Sequence, residues 1–358
     1  MSAELTRMGA REVEDAIRQG ATIENADLSG LDLTGANLHL GRFHGCVLDR
    51  ADFSGQKLEK TGLRDCSLKG ARFRGCSFTD MFLRKLDFSG ADFQGALFLR
   101  THLSGSSLAG ADLTGARVHW SFLDKADLTE ARLHQADVLK SVCLEAVCTG
   151  ADFTGARLER VTFRKATMEG SILRGAAFDH VNLSAAKLAG HDFRGQKFRS
   201  VNFSGAELSG ADFTGADVST CVFQGAVLEG AVLERATAQK CMFAGAVMRR
   251  VKARGADFAL AYFGQADLSE ADFRTAKLQG ARLEKAIIRS AAFMDSDCYN
   301  CDLSHADLTG SDFSRANLML ALLHGITDTD ARFQGANTAW LRGPDKDMAE
   351  AENFKAPQ

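Results

Sequence analysis

The stretch Asp297-Cys-Tyr-Asn-Cys301, with Asp302 and His305 close behind, carries the residue types that hold a metal. Zinc takes thiolate and imidazole ligands, and a C-x-x-C pair is half of a four-ligand spacing. No second such pair follows, so the two thiols are read as structural and no metal is expected. The nine cysteines are odd in number and irregular in spacing. That usage suits small core residues in a reducing, cytosolic setting better than a disulfide framework. A second candidate is acidic: Asp32, Asp52, Asp92, Asp112, Asp152, Asp192, Asp212, Asp272 and Asp312 recur at multiples of twenty. Such a row could imitate nucleic-acid phosphates. It also has a structural reading, because Asp ahead of a large apolar residue bonds nearby backbone and shapes a turn. Arg72, Arg132, Arg194, Lys252, Arg274 and Arg315 interleave with the row and nearly cancel it. A mimic needs an unbroken negative field, so the structural reading is preferred. A basic series, Lys57, Lys60, Arg100, Arg117, Lys140, Arg157 and Arg160, is interrupted by Glu59, Asp80, Asp137 and Glu159. It reads as a solvated side of mixed charge. No Gly-rich phosphate loop, paired-carboxylate pocket or nucleophile–base pair stands out. No catalytic site and no cofactor are expected.

The elements that position these residues follow from one period. Every position ending in 3 or 8 from Leu28 to Leu323 makes 60 positions, holding 28 Leu, 21 Phe and otherwise only Val, Met, Ile, Cys or Ala. Of the 60 positions two earlier, 35 are Ala, and most of the rest are small. Neither a helix, with its period of 3.6, nor a flat strand, with its period of 2, gives a strict period of five. One large and one small residue in each five therefore face inward, and the chain turns after every fifth residue. Four fives close a square coil of twenty residues, hydrogen-bonded to its neighbours about 4.8 Å away as in a sheet. Sixty fives make about fifteen coils, roughly 70 Å of solenoid at that spacing. Phe segregates into columns twenty apart, such as Phe53, Phe73, Phe93 and Phe153, as stacked rings require. Gly commonly follows the large residue by two, where a type II turn needs positive φ. At Leu40, Lys60, Asp80, Arg100, Trp120 and Lys140 it does not, and that corner is expected to use a different turn.

Ala26-Asp-Leu-Ser-Gly30, Ala151-Asp-Phe-Thr-Gly155 and Ala211-Asp-Phe-Thr-Gly215 resemble the A(D/N)LXX signature of the pentapeptide-repeat family. The resemblance covers about Ala26 to Gly335. It implies an all-β fold, a right-handed quadrilateral β-helix, and by itself no function. Some members resemble DNA in shape and charge and bind gyrase.

The expected organisation is an N-terminal capping helix in 1–22, a solenoid in 23–337 and a C-terminal cap and mobile tail in 338–358. Ala3 to Gln19 reads as the helix, with Leu5, Met8, Val13, Ala16 and Ile17 on one face and Gly20 ending it. Trp340 and Leu341 are expected to close the far end. Gln56, His191 and Gln196 are polar in small inward slots and are expected to bond interior backbone or a buried water.

What remains is apolar. Phe82, Leu97, Leu99, Trp120, Phe122, Leu139, Val142 and Leu144 fall in outward slots on two adjacent sides, and Val222, Met242 and Tyr262 follow later. A contiguous exposed patch marks an interface. The first eight are taken as a protein interface of a non-enzymatic scaffold or adaptor, its partner another protein or a second copy. The alternatives are a DNA mimic that binds gyrase or another topoisomerase, weakened by a net charge of only -3, and an accessory of a bacterial secretion apparatus. Nucleic acid and membrane are not expected as partners. No apolar run reaches the roughly 18 residues of a membrane helix, and the N-terminus lacks a secretory-signal pattern. A cytoplasmic, bacterial protein is expected.

Overall fold

From Leu28 to Leu318 every large residue of the period is buried, and nearly every small residue before it is too. The computed structural model, which describes residues 5–343, divides into two units, Met1–Lys187 and Leu188–Gln358. Each is a four-sided β-solenoid with the same inward slots. In the first unit Asp52, Arg72, Asp92 and Asp112 pair in parallel at steps of twenty; in the second, Asp212, Val232, Lys252 and Asp272 do. Asp112 donates its N–H to the Ala91 carbonyl at 2.9 Å, and Leu113 donates to Arg132 at 2.7 Å. Residues twenty apart therefore stack. Phe53, Phe73 and Phe93 lie 4.8 and 5.0 Å apart between ring centroids, and Phe273, Phe293 and Phe313 lie 4.9 and 4.7 Å apart.

The first unit begins with strand β1 (Thr6–Arg7), the nine-residue helix α1 (Ala10–Arg18), β2 (Thr22–Glu24) and β3 (Ala26–Asp27). The helix is shorter than Ala3–Gln19. Gly9 is a poor helix former and caps it instead, its N–H donated to Glu12 Oε2 at 2.7 Å. The residues before it extend and pair with β3, adding to the ladder. Val13 is fully buried, whereas Leu5 is exposed.

Corners come in two kinds. A tight turn closes with a hydrogen bond three residues long, as from Ala91 N–H to the Phe88 carbonyl at 2.9 Å, with Gly90 at φ 67°. The other corner is an extended strand followed by a bend. It occupies one side at β2, β4 (Arg42–His44) and β5 (Gly62–Arg64), then moves to the preceding side. There it forms β6 (Ser77–Thr79), β7 (Leu97–Leu99), β8 (Arg117–His119), β9 (Asp137–Leu139), β10 (Arg157–Glu159) and β11 (Ala177–Asp179). Among the described residues of the second unit, only β12 (Phe198–Arg199) has this form. The different corner expected at Asp80, Arg100, Trp120 and Lys140 is thus present. At Leu40 and Lys60 it is not: both sit in tight turns, at φ 65° and 62°. The coil count also differs from the fifteen expected. About ten coils carry an extended strand of two or three residues, because the later corners are all tight turns that leave one paired residue per side.

The bend corner lacks the closing hydrogen bond, and at Thr101, Ser121 and Ser141 small polar residues replace it. Thr101 Oγ1 donates to the Phe78 carbonyl at 2.7 Å, Ser121 Oγ to Phe98 at 3.3 Å and Ser141 Oγ to Val118 at 2.9 Å. Two of these hydroxyls also accept from backbone: Thr101 N–H donates to Ser121 Oγ, and Ser121 N–H to Ser141 Oγ, both at 3.1 Å. All three residues are buried.

At the other end the pattern fades. Leu323 and Phe333 are half-buried, and Asp328 and Thr338 are exposed. Trp340 does not close the end, since 77% of it is exposed. Its slot is an outward corner at φ 57°, which points the indole away from the axis. The expected tail beyond Gly343 lies outside the described residues.

Candidate protein interface

The aspartate row behaves structurally. Each of the nine carboxylates accepts the backbone N–H two residues on, from Thr34 for Asp32 to Ser314 for Asp312, at 2.8–3.1 Å. Cations take much of what remains: Arg72 meets Asp52 and Arg132 meets Asp112, both at 3.2 Å. Arg194 and Arg274 each grip the aspartate two residues before them. Burial pushes the Asp112 carboxyl up, but hydrogen bonds from Thr114 and Gln94, with Arg132 nearby, outweigh it and hold the group below the ordinary range. The basic series is mixed as well, with Arg100 bidentate on Asp80 at 2.6 and 2.7 Å.

All nine cysteines are buried and unbridged. Cys301 Sγ donates to the Leu278 carbonyl at 2.9 Å, and Cys298 lies 3.4 Å from Ser296 Oγ. Burial pushes the Cys148 thiol up to about 12. Gln56 Nε2 donates to the carbonyls of Leu33, Thr34 and Ala36, as its inward slot implied. His191 is buried, 5.6 Å from the Phe193 ring.

The apolar outward residues divide. Phe82 and Phe122 share one side two coils apart, and His102 lies between them. Phe82–His102 and His102–Phe122 stack at 4.7 Å each, with ring planes 7° and 10° from parallel. A buried Phe column is thereby repeated on the outside. Trp120, on the corner before Phe122, has Lys140 Nζ 5.4 Å from its ring. Asp80, Phe82, Arg100, His102, Trp120 and Phe122 together line a surface groove of about 670 Å³. Phe82, Trp120 and Phe122 are 67%, 44% and 38% exposed. Val142 continues the column beyond Phe122 and is half-buried. Leu97, Leu99 and Leu139 lie half-buried on β7 and β9, and Leu144 is half-buried too; none of these lines the groove. In the second unit Met242 is exposed, and Tyr262 lies under the Arg282 guanidinium at 5.0 Å.

Selecting outward apolar residues passed over His102, which is polar by type. Its position, twenty from both Phe82 and Phe122, was the available signal. Arg84 Nη2 lies 3.2 Å from His102 Nδ1. Arginine only donates, so Nδ1 accepts and the ring proton sits on Nε2. Burial, then the Arg84 charge, lower the His102 pKa below its ordinary value.

Family models described as pentapeptide repeats match residues 19–55, 46–84, 87–123, 145–187, 176–215, 216–255, 256–293 and 296–325. This chain belongs to the pentapeptide-repeat family. Among solved structures, the pentapeptide-repeat chain is similar to QnrB1, described as a plasmid-mediated fluoroquinolone resistance protein. The identity is 19%, covering 51% of this chain and 98% of that one, with a TM-score of 0.41. It is also similar to HetL of the cyanobacterium Nostoc, described as involved in heterocyst differentiation regulation. There the identity is 22%, covering 74% and 88%, with a TM-score of 0.22. Rfr23 from the cyanobacterium Cyanothece is 18% identical over 46% and 84%, with a TM-score of 0.17. No curated protein matches the pentapeptide-repeat chain. No helix among its described residues is long and apolar enough to cross a membrane.

Proposed function

We propose that this pentapeptide-repeat protein is a non-enzymatic scaffold that binds another protein through the side carrying Phe82, His102, Trp120 and Phe122. The observation that carries the reading is the outward ring stack. Inside the solenoid such a stack fills a slot. Outside it supports nothing inward, and leaving it in water forfeits burial worth about 25 cal/mol per Å². A partner that covers it recovers that term, and rings at the centre of a patch are the usual hot spots. The groove gives the partner a concave surface, with the charges of Asp80 and Arg100 at its edge. The aspartate row gives little support to a nucleic-acid mimic, because its carboxylates are engaged by backbone and arginine.

Changing Trp120 and Phe122 together to Ser tests the reading. Neither fills an inward slot, so the circular-dichroism spectrum should match wild type. Co-purification of the partner from the native host, or self-association if the partner is a second copy, should be lost. A folded double variant that keeps every interaction contradicts the proposal.

A further inference from the structure

Next to Phe82 the ladder opens. The column pairs Arg42 with Gly62, Phe82 with His102, and His102 with Phe122. Among the described residues no bridge joins Gly62 to Phe82, and neither Leu63 N–H to the Phe82 carbonyl nor Phe82 N–H to the Thr61 carbonyl is bonded. One coil on, the equivalent bonds, Leu83 N–H to His102 and His102 N–H to Met81, are both 2.8 Å. The cause lies in the corners. The coil of Gly62 leaves this side through an extended strand and a bend at Asp65, and the coil of Phe82 through a tight turn at Lys85. The two paths do not superpose. Bridges Asp52↔Arg72, Lys57↔Ser77 and Ser67↔Asp87 hold the other three sides.

Gly62 also leaves this position of the column without a side chain. His102 covers one face of the Phe82 ring, the Arg84 guanidinium lies 5.7 Å from the ring centroid, and Gly62 sets no side chain against the ring. Arg42, the next side chain of the column, turns back to donate to the Gly20 carbonyl at 2.6 Å. The column therefore has no side chain between Arg42 and Phe82, and His102 shows that a ring fits between neighbours two coils apart. The rim is cationic. Arg42, Lys60 and Arg84 are exposed and make no ion pair among the described residues. The nearby Asp80 is held by Arg100.

We propose that this vacant rung receives an aromatic side chain of the partner, flanked in the partner's sequence by acidic residues. The inserted ring stacks on Phe82, beside the Arg84 guanidinium. The carboxylates meet Arg42, Lys60 and Arg84, and the open Leu63 N–H and Phe82 carbonyl pair with the partner's backbone. The inference rests on the scaffold reading and names the chemistry its partner must carry.

The test uses the full chain and the peptide acetyl-Glu-Trp-Glu-amide, followed by NMR of the peptide indole. Stacking on Phe82 should give saturable upfield ring-current shifts. Gly62→Phe fills the rung from within: Gly62 is in extended backbone, and a Cβ there meets nothing closer than 3.8 Å. The variant should keep or raise the melting temperature and weaken the peptide about tenfold or more. Met242→Ser, at an exposed residue of the second unit outside the proposed interface, should leave the peptide affinity within about twofold. Absence of saturable shifts, equal binding to Gly62→Phe, or tighter binding of adenosine monophosphate than of the peptide would overturn the inference. If Gly62→Phe retains the native partner while the Trp120/Phe122 double variant loses it, the scaffold reading stands and the rung does not.

Discussion

The inward slots are specified one residue at a time. Ala211 is fully buried, bonded through backbone to Leu208 and to Val232 in the following coil. A larger side chain there must displace its neighbours, so Ala211→Leu should cost about 1–3 kcal/mol. Unchanged thermal stability would contradict the small-slot assignment. The aspartates specify the turns at the same scale. For Asp32 a backbone and a side-chain hydrogen bond from Thr34 hold the carboxyl below its ordinary value; for Asp312 the side chain and backbone of Ser314 do. A depressed folded-state pKa favours the charged form in the fold. Its stabilisation is therefore present above the ordinary carboxylate value of about 3.9 and is lost as pH falls through the lowered values. Denaturant midpoints should fall steeply below about pH 4, and a midpoint unchanged at acid pH would contradict the turn role. Both roles were legible because residue type and period point the same way in sixty copies. Trp340 was misread: its type suggested burial, and its position in the period marked an outward corner.

Corners are the element at which sequence information thins. A column of non-Gly residues at positive φ, twenty apart, signals an unusual corner, and in the column from Asp80 to Ser200 that signal coincides with the extended strand and bend. Leu40 and Lys60 carry the same signal yet form tight turns, because both corner kinds put this residue in the left-handed region. What separates them is the missing three-residue hydrogen bond, and at three of these corners its substitute is visible as Thr101, Ser121 and Ser141 in a small inward slot. Ser121→Ala should leave the Thr101 N–H unpaired in the core. The expected loss is about 1–3 kcal/mol, read as a lower urea midpoint with an unchanged slope. A neutral substitution would mean that the bend corner needs no hydroxyl. The gap at Gly62 has the same origin, since it lies where the bend moves from one side to another. A single glycine and a change of corner gave no warning of it within a strict five-residue period.

At the scale of the whole molecule, a net charge of -3, engaged aspartates and mixed-charge sides leave the outward rings as the feature that the repeat does not explain. The repeat was legible from its period alone. The patch was legible only in part: Phe82, Trp120 and Phe122 come together, while Leu97, Leu99, Leu139, Val142 and Leu144 stand half-buried outside the groove. Side chains at a half-buried edge are partly covered by neighbouring coils, and a slot assignment cannot measure that cover. The most direct test of the interface is hydrogen–deuterium exchange on the complex purified from the native host, compared with the free protein. The account predicts added protection confined to 80–84, 100–104 and 118–124. Protection on the other sides, with these three segments exchanging as in the free chain, would contradict it.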